Sequence, residues 1–496
     1  MIKEKLKKLR KLINNYSLDG YIIPKNDEFF SEYAAEDRLK IISNFSGSAG
    51  LAIVLKNKNY LFVDGRYTIQ AEQQSGMYFK IIKIHKFLPL NIIKNLVLGF
   101  DPNLFTRKQL NIYFGNSFTL KPIVNNLIDK ISSKKKLQSK PFFLLKNKIA
   151  GKSYKSKINK ISKILKINKA DYLFVSAPEN VAWALNIRGS DNPNSPIPNC
   201  RLIIGKDKKL YLITKKEKAS KVQKQLKINN SQIIHPNNFL HLIKKLNGSK
   251  FIIDPLSCSI FNESIIKSKF IILNKIDPCY ELKSIKNTSE IKHMVNAHIE
   301  DGVALTKFIF WIKKINKRKI TEIDAKNKLE NFRKLNKNYL FPSFDTIAGT
   351  GSNGAIVHYR VNKKSNKTIN NNHLFLCDSG GQYKYGTTDV TRTLCFSKQP
   401  NSVKNIYTKV LKGHIAVATT NLNKFNNGKE IDKRARYFLK KDGLDYEHGT
   451  GHGVGFFLNV HEGPQSISKF NTVKLKEGMI LSNEPGFYKK DHYGIR

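Results

Sequence analysis

The sequence predicts an α/β (α+β) protein with three domains. Its 496 residues are enough for about three domains that each bury a core of their own. A helix followed by several short apolar strands occurs twice, about 150 residues apart, which indicates two duplicated α/β domains. After the second copy, long helical patterns combine with apolar strands and glycine-rich turns, which predicts a third domain of different construction.

The first domain is predicted over residues 1–150. Its elements are a basic helix that ends near Tyr16, a strand at 20–24, a hairpin and strand at 44–55, and a strand at 60–67. Asp64, Gly65 and Arg66 are interpreted as a turn with a salt bridge. The segment 132–140 is rich in lysine and poor in apolar residues, so it is predicted to be a linker.

The second domain, predicted over residues 151–283, repeats this plan. Its elements are a helix at 154–165 and strands at 171–177, 200–205 and 210–214. Their order and spacing follow those of the first domain, so both copies are expected to share one fold.

The third domain is predicted over residues 284–496. Asn287 is a plausible start for a long helix, because Glu290 lies in its first turn. A stripe of apolar residues at helical spacing is expected to face the core: Ile291, Met294, Val295, Ile299, Val303, Phe308 and Ile312. Further helices are predicted at 322–335 (capped by Thr321), 403–418 and 430–440.

Two aspartates lie at a predicted hairpin in this domain. The strands are expected at 374–377 and 391–396, joined by the polar link 380–387. Asp378 and Asp389 are eleven positions apart (389 − 378) on opposite arms, so they can face each other. An Asp at the end of an apolar strand is costly to desolvate unless it is paired. Either residue alone could cap a turn, but together they favour a metal site.

Histidines and one glutamate supply further ligands. His448, His452 and His461 lie in HGTGHGVGFFLNVHEGP, where the glycines favour an extended or tightly bent backbone over a helix. Glu484 in SNEPG is expected at the end of a strand formed by 479–481. Carboxylates combined with imidazoles suit one or two divalent metal ions.

His358 completes the set of candidate site residues. It is expected on a strand after the glycine-rich turn of GTGSNGAIVHY. That turn lacks the Lys and Ser/Thr ending of a phosphate-binding loop.

These motifs resemble those of a known family. DSGGQYKYGTTDVTRT, HGTGHGVGFFLNVHEGP and NEPG, with GTGSNGAIVHY upstream, are similar to the motifs of the Xaa-Pro aminopeptidases (aminopeptidase P), which are metallopeptidases with the pita-bread fold. The resemblance implies two creatinase-type N-terminal domains followed by a pita-bread catalytic domain. It also implies hydrolysis of the first peptide bond in peptides with proline in second position, through a metal-bridging hydroxide.

The resemblance assigns roles to single residues. Asp378, Asp389, His452 and Glu484 match four of the family's five ligands for two divalent ions, and carboxylate-rich ligation favours Mn²⁺. The catalytic residues would be His358, His461 and Glu484, and the substrate-binding residues would be His358, His448, His461 and Arg496. The fifth ligand, a bridging Glu, would be position 498. We therefore expect that the sequence is a fragment whose catalytic domain is truncated at its C-terminal end, the alternative being a truncated, inactive product.

Two other functions share parts of this pattern. A prolidase, which cleaves only dipeptides, would use the same metal residues. A non-catalytic pita-bread binding protein would typically have lost the Asp, His and Glu ligands. The two preceding domains and the spacing of FFLNVHEGP favour the three-domain aminopeptidases.

Composition limits the remaining possibilities. The net charge of +49 comes mostly from lysines spread along the chain, without an Arg cluster or a nucleic-acid motif, so specific nucleic-acid binding is not expected. No apolar run approaches the roughly 20 residues that span a membrane. The N-terminus lacks a signal-peptide core, and the five scattered cysteines fit reduced thiols, so we expect a cytoplasmic protein. Family members of this length often form homodimers, which is the expectation here.

Overall fold

The computed structural model describes residues 2–34, 36–132, 140–315 and 320–496. The predicted linker at 132–140 therefore lies almost wholly outside the described residues. The chain forms two compact units. The first comprises Met1–Asn147, Lys152–Pro193 and Ile197–Cys279, and the second comprises Lys148–Gly151, Asn194–Pro196 and Tyr280–Arg496. Among the described residues, no helix has the length and apolar character needed to cross a membrane.

The first unit begins with a six-stranded sheet of order β4-β3-β2-β1-β5-β6. Its elements are α1 (Ile2–Asn15), β1 (Gly20–Pro24), α2 (Arg38–Ser43), β2 (Leu51–Leu55), β3 (Asn59–Val63), α3 (Thr68–Ser75), β4 (Lys80–Lys83), β5 (Leu96–Phe100), α4 (Arg107–Phe114) and β6 (Phe118–Pro122). Every residue of β1 is buried, as expected of a central strand covered on both faces. Asp64 and Arg66 form the predicted turn with a salt bridge of 2.8 Å.

The same unit continues with a second six-stranded sheet of order β12-β11-β10-β8-β13-β14. The elements here are β7 (Phe143–Leu144), α5 (Asn147–Ala150), α6 (Tyr154–Ile167), β8 (Tyr172–Val175), α7 (Pro178–Leu185), β9 (Ile187–Arg188), β10 (Arg201–Gly205), β11 (Leu210–Ile213), α8 (Lys216–Leu226), β12 (Ile233–Ile234), α9 (Phe239–Lys245), β13 (Lys250–Ile253), α10 (Ile260–Lys267), β14 (Ile271–Asn274) and α11 (Pro278–Ser284).

The two sheets share one topology. In the first, β1 pairs antiparallel with β2 and parallel with β5. In the second, β8 pairs antiparallel with β10 and parallel with β13. The strand orders correspond position by position, which confirms the predicted relationship between the two N-terminal folds.

The second unit combines long helices with short antiparallel strands. Its elements are α12 (Thr288–Lys314), α13 (Glu322–Lys334), β15 (Tyr339–Pro342), β16 (Ile347–Thr350), β17 (Phe375–Ser379), β18 (Gly381–Tyr383), β19 (Gly386–Thr387), β20 (Val390–Leu394), α14 (Asn401–Ala418), α15 (Gly428–Lys440), β21 (Gly451–Gly453), β22 (Glu462–Ile467), β23 (Phe487–Lys489) and β24 (Tyr493–Ile495). Asn287 and Thr321 cap α12 and α13 as predicted, because each side chain accepts hydrogen bonds from the first helical turn.

Helix α12 corrects the predicted core stripe. Met294, Phe308 and Ile312 are buried, and the last two pack against α13 and β17. The other predicted members are 37–61% exposed: Ile291, Val295, Ile299 and Val303. These four residues are spaced by four, so they form a second stripe on another face of the helix. Helical spacing alone does not distinguish the covered face from the exposed one.

The predicted aspartate hairpin forms, with an addition. β17 and β20 pair antiparallel, and Asp378 lies opposite Thr391. The link between them is itself a small hairpin, in which β18 pairs with β19 and also with β15. The link therefore belongs to a separate three-stranded sheet of order β15-β18-β19.

Candidate metal centre

Asp378 and Asp389 enter the site from neighbouring strand ends. Asp378 lies within β17 and is only 6% exposed, whereas Asp389 lies in the bend between β19 and β20. One oxygen of Asp378, Oδ2, accepts a hydrogen bond from Arg496 Nη2. The other, Oδ1, is buried and has no hydrogen-bond partner among the described residues. A buried carboxylate oxygen without a partner is costly, and a cation would satisfy it.

His452 lies between two carboxylates. Its Nε2 is 3.1 Å from Asp389 Oδ2 and 3.2 Å from Glu484 Oε1. Ligand atoms of these three residues all lie within 4.8 Å of one another. Asp378 is not part of that compact group, although its carboxylate interacts electrostatically with those of Asp389 and Glu484. The arrangement therefore offers one three-residue cluster with a fourth carboxylate beside it.

Two backbone segments hold His452 and Glu484 together. The Ser482 N–H donates to the His452 carbonyl at 2.8 Å, and the Glu484 N–H donates to the Thr450 carbonyl at 2.8 Å. The Ser482 hydroxyl donates to Glu484 Oε1 at 2.7 Å and accepts from the His452 N–H at 2.9 Å. The strand expected at 479–481 is not formed, and single bridges such as that between Gly453 and Leu481 replace it.

The charges of the site indicate a place for a cation. Burial raises the pKa of Asp378 to about 7, and the nearby carboxylates of Asp389 and Glu484 add to the rise, while the Arg496 guanidinium opposes it. Burial alone would lower the pKa of His452, but its hydrogen bonds to Asp389 and Glu484 raise it well above its usual value. The carboxylates thus favour positive charge at the point where their oxygens meet. Together with the unpaired Oδ1 of Asp378, this donor set fits divalent ions.

Of the other predicted site residues, His461 lies beside His452, whereas His448 and Arg496 lie together at Tyr488. The His461 ring lies 4.2 Å from the His452 ring, measured between centroids. His448 Nε2 lies 3.0 Å from the hydroxyl of Tyr488, which also accepts a hydrogen bond from Arg496 Nη1 at 3.2 Å. Burial lowers the pKa of His448 to about 4, and the positive charge of Arg496 contributes. His448 is therefore a neutral imidazole near pH 7.

His358 differs from its prediction in local structure. It follows the short 3₁₀ helix Gly351–Ala355 in a turn and does not lie on a strand. The adjacent Tyr359 is fixed by a hydrogen bond of 2.8 Å from its hydroxyl to Glu322 Oε2. Glu322 also accepts a hydrogen bond from the Thr350 N–H at 2.8 Å, so one carboxylate binds both residues that flank the segment 351–358.

Several residues near the site were not found from the sequence. Tyr488 and Ser482 carry no pattern that marks them. Asp301 and Arg333 do carry one, because each occupies a position on the buried face of its helix, in register with Ala297 and Leu329. A charge at a core-facing helical position indicates a buried pair.

Comparisons with family models match almost the whole chain. Residues 292–496 match the metallopeptidase family M24, and residues 5–122 and 133–290 each match the creatinase/prolidase N-terminal domain. Xaa-Pro aminopeptidase 1 of Dictyostelium discoideum is 36% identical, with 100% of this chain and 84% of that protein covered. Aminopeptidase P2 of Arabidopsis thaliana is 34% identical, with coverage of 100% and 77%.

Solved structures agree with the sequence relatives. X-prolyl aminopeptidase of Caenorhabditis elegans, described as a cytosolic enzyme with a dinuclear active site, superimposes with a TM-score of 0.88 at 30% identity. The match covers 100% of this chain and 86% of the nematode protein. Prolidase of Pyrococcus furiosus covers only 67% of this chain, with a TM-score of 0.54 at 25% identity. With these relatives, these family models and a converging carboxylate–histidine cluster, the chain belongs to the Xaa-Pro aminopeptidases of metallopeptidase family M24.

Proposed function

We propose that this protein is a metal-dependent aminopeptidase that hydrolyses the bond between an N-terminal residue and a following proline. The observation that carries the proposal is the convergence of Asp389, His452 and Glu484 within 4.8 Å. Relatives named Xaa-Pro aminopeptidase, such as the Dictyostelium discoideum protein that is 36% identical over 100% of this chain, supply the substrate class. A cluster of this kind is suited to hydrolysis because bound divalent ions acidify water and polarise carbonyl groups.

We propose four of the metal ligands within this sequence. Asp378, Asp389, His452 and Glu484 would hold two divalent ions, and Mn²⁺ is the ion that carboxylate-rich donors favour. The unpaired Oδ1 of Asp378 and the facing carboxylates support this assignment.

The chain's own side chains would handle the substrate and its protons. Glu484 would accept a proton from the attacking water and deliver it to the proline nitrogen, which has no hydrogen of its own in the peptide bond. His358 and His461 would donate hydrogen bonds to the scissile carbonyl oxygen, where negative charge develops. His448 and Arg496, joined through the Tyr488 hydroxyl, would line the side of the leaving group.

The activity test compares substrates of two lengths. The protein is assayed with Mn²⁺ on an Xaa-Pro-Xaa tripeptide and on an Xaa-Pro dipeptide. We expect cleavage of the tripeptide after its first residue and loss of activity with a chelator. Cleavage of the dipeptide alone would identify a prolidase, and a protein that binds no metal and cleaves neither peptide would be a binding protein.

A pair of variants tests the ligand assignment. Asp389→Asn should abolish metal-dependent activity, because the amide lacks the negative charge that a ligand of divalent ions supplies. Asp345→Asn is the matched control, since that side chain is 46% exposed and pairs with Arg360 at 3.4 Å. Full activity of Asp389→Asn would refute the assignment.

Three further properties are proposed on the same basis. We propose domains at residues 1–150, 151–283 and 284–496, which limited proteolysis would test. We propose a homodimer, to be measured by light scattering. We propose a cytosolic location, which the description of the nematode relative as a cytosolic enzyme supports and which imaging of a tagged protein would test.

A further inference from the structure

A buried ion pair joins the two long helices that begin the second unit. Asp301 of α12 and Arg333 of α13 are both completely buried. Arg333 Nε donates to Asp301 Oδ1 at 2.6 Å, and Nη2 donates to Oδ2 at 3.2 Å. Neither residue belongs to the proposed metal ligands or substrate contacts. A fully buried charge pair is expensive in desolvation, so a second role is worth seeking.

The pair binds three side chains of the aspartate hairpin. The Tyr383 hydroxyl donates to Asp301 Oδ1 at 2.8 Å, and the Thr388 hydroxyl donates to Oδ2 at 3.0 Å. Arg333 Nη2 donates to the Ser379 hydroxyl at 2.9 Å. One arm of the hairpin, at Ser379, and the link that leads to the other arm, at Tyr383 and Thr388, are thereby fastened to the two helices.

Two of the fastened residues are direct neighbours of proposed ligands. Ser379 follows Asp378, and Thr388 precedes Asp389. Asp389 lies between β19 and β20, outside either strand, so strand pairing does not fix its orientation directly. The Thr388 side chain instead connects the bend to Asp301.

The backbone around these neighbours is packed without spare room. The Ser343 hydroxyl donates to the Thr388 carbonyl at 2.8 Å, and the Thr388 N–H donates to the Gly381 carbonyl at 2.9 Å. A Cβ added at Gly380 would lie 1.9 Å from the Thr388 carbonyl oxygen. A change in the Thr388 anchor would therefore be transmitted to both aspartate arms.

We propose that Asp301 and Arg333 are positioning residues for the metal centre, which orient Asp378 and Asp389 through Ser379 and Thr388. This inference rests on the proposed function, because it requires that the two aspartates bind metal. Loss of a group that orients a metal ligand typically weakens metal binding by about 10–100-fold.

Mn²⁺ titration of the full chain by calorimetry tests the proposal without an activity assay. The double variant Asp301→Leu/Arg333→Met removes both charges, so no unpaired buried charge remains. We expect a Kd for Mn²⁺ that is raised by about 10–100-fold, with the circular dichroism spectrum unchanged. The matched control is Asp129→Leu/Arg38→Met in the first unit, where Arg38 also donates two hydrogen bonds to one aspartate, at 2.8 and 3.0 Å. The control should leave the Kd unchanged.

Single substitutions at Thr388 cover the case in which the double variant does not fold. Thr388→Val keeps the shape but removes the hydroxyl, which donates to Asp301 and also accepts a hydrogen bond from the Gly381 N–H at 2.9 Å, and Thr388→Ser keeps that hydroxyl. The valine variant should lose at least about tenfold in Mn²⁺ affinity, and the serine variant should recover it. A merely structural role would not produce this difference in metal affinity between two folded variants.

The outcomes separate the two proposals. If the wild-type chain binds Mn²⁺ and the folded variants bind it within about threefold of that affinity, the positioning role is refuted and the proposed function stands. If the wild-type chain binds no divalent ion, the proposed function fails and this inference fails with it.

Discussion

Substitution of Lys286 by Met should destabilise the second unit strongly. Lys286 Nζ donates to Glu462 Oε1, and both side chains are almost completely buried, with exposures of 0% and 2%. Methionine has a similar length, so it fills the space but leaves the Glu462 carboxylate without its main partner. The second lysine near this carboxylate, Lys283, has its Nζ 3.8 Å from Oε2, beyond hydrogen-bond distance.

The magnitude follows from this geometry. Removing one partner of a buried ion pair costs about 3–5 kcal/mol, because the remaining charge is uncompensated. Lys283 still attracts Glu462 across 3.8 Å, so the loss should lie near the lower end, at about 3 kcal/mol. For a unit of roughly 200 residues, 1 kcal/mol corresponds to about 2–4 °C in Tm, so the expected decrease is about 6–12 °C.

Calorimetric melting of the wild type and two variants measures this effect. The control is Lys476→Met, which removes the same kind of side chain from a surface pair with Glu281, where the two side chains are 51% and 61% exposed. The control should change the free energy of unfolding by at most about 1 kcal/mol. If Lys286→Met melts within the range of this control, the Glu462 carboxylate is not held by a buried pair, and the reasoning fails.

Three further predictions concern other parts of the chain. Burial raises the pKa of Asp277 to about 6, so the native state holds this proton more tightly than the unfolded state. The free energy of unfolding should therefore fall by about 3 kcal/mol as pH rises from about 4 to about 6. Urea titrations across that range should show this contribution in the wild type and not in Asp277→Asn. Glu322→Gln should cost about 1–3 kcal/mol in urea unfolding, because its new amide donor would face the donors Tyr359 Oη and Lys367 N–H. Ile299→Lys should change the free energy of unfolding by less than about 0.5 kcal/mol, since Ile299 is 61% exposed.

The proximity of the proposed metal ligands could be predicted because these residues lie in long local motifs. Asp378 and Asp389 belong to one hairpin, and the strand pairing that brings them together is encoded within about twenty residues. His452 and Glu484 are also marked by neighbouring glycine and proline. A Cβ added at Gly451 would lie 2.0 Å from the Ser482 carbonyl oxygen, so this glycine permits the close approach of the two segments. Their neighbourhood could be inferred without knowing how the long helices pack.

Helix α12 shows what local patterns leave open. Its sequence contains two apolar stripes, one with Met294 and Phe308 and another with Val295 and Ile299. Periodicity predicted the helix correctly, but only packing against α13 and β17 decides which stripe is covered. The covered face also contains Asp301, which a search for apolar residues passes over.

The sequence does not show which buried charges contact each other, because the partners lie far apart along the chain. Asp301 and Arg333 are 32 positions apart, and Lys286 and Glu462 are 176 positions apart. No window used to recognise helices, strands or turns contains both members. Asp301 and Arg333 could still be recognised singly, because a charge in the covered register of an amphipathic helix must find a partner or destabilise the fold. Asp301 accepts a hydrogen bond from Thr388, which is the neighbour of one proposed ligand, and Glu462 follows His461 directly. Buried charges of this kind should therefore be tested first for a role in positioning site residues and only then for a role in core stability.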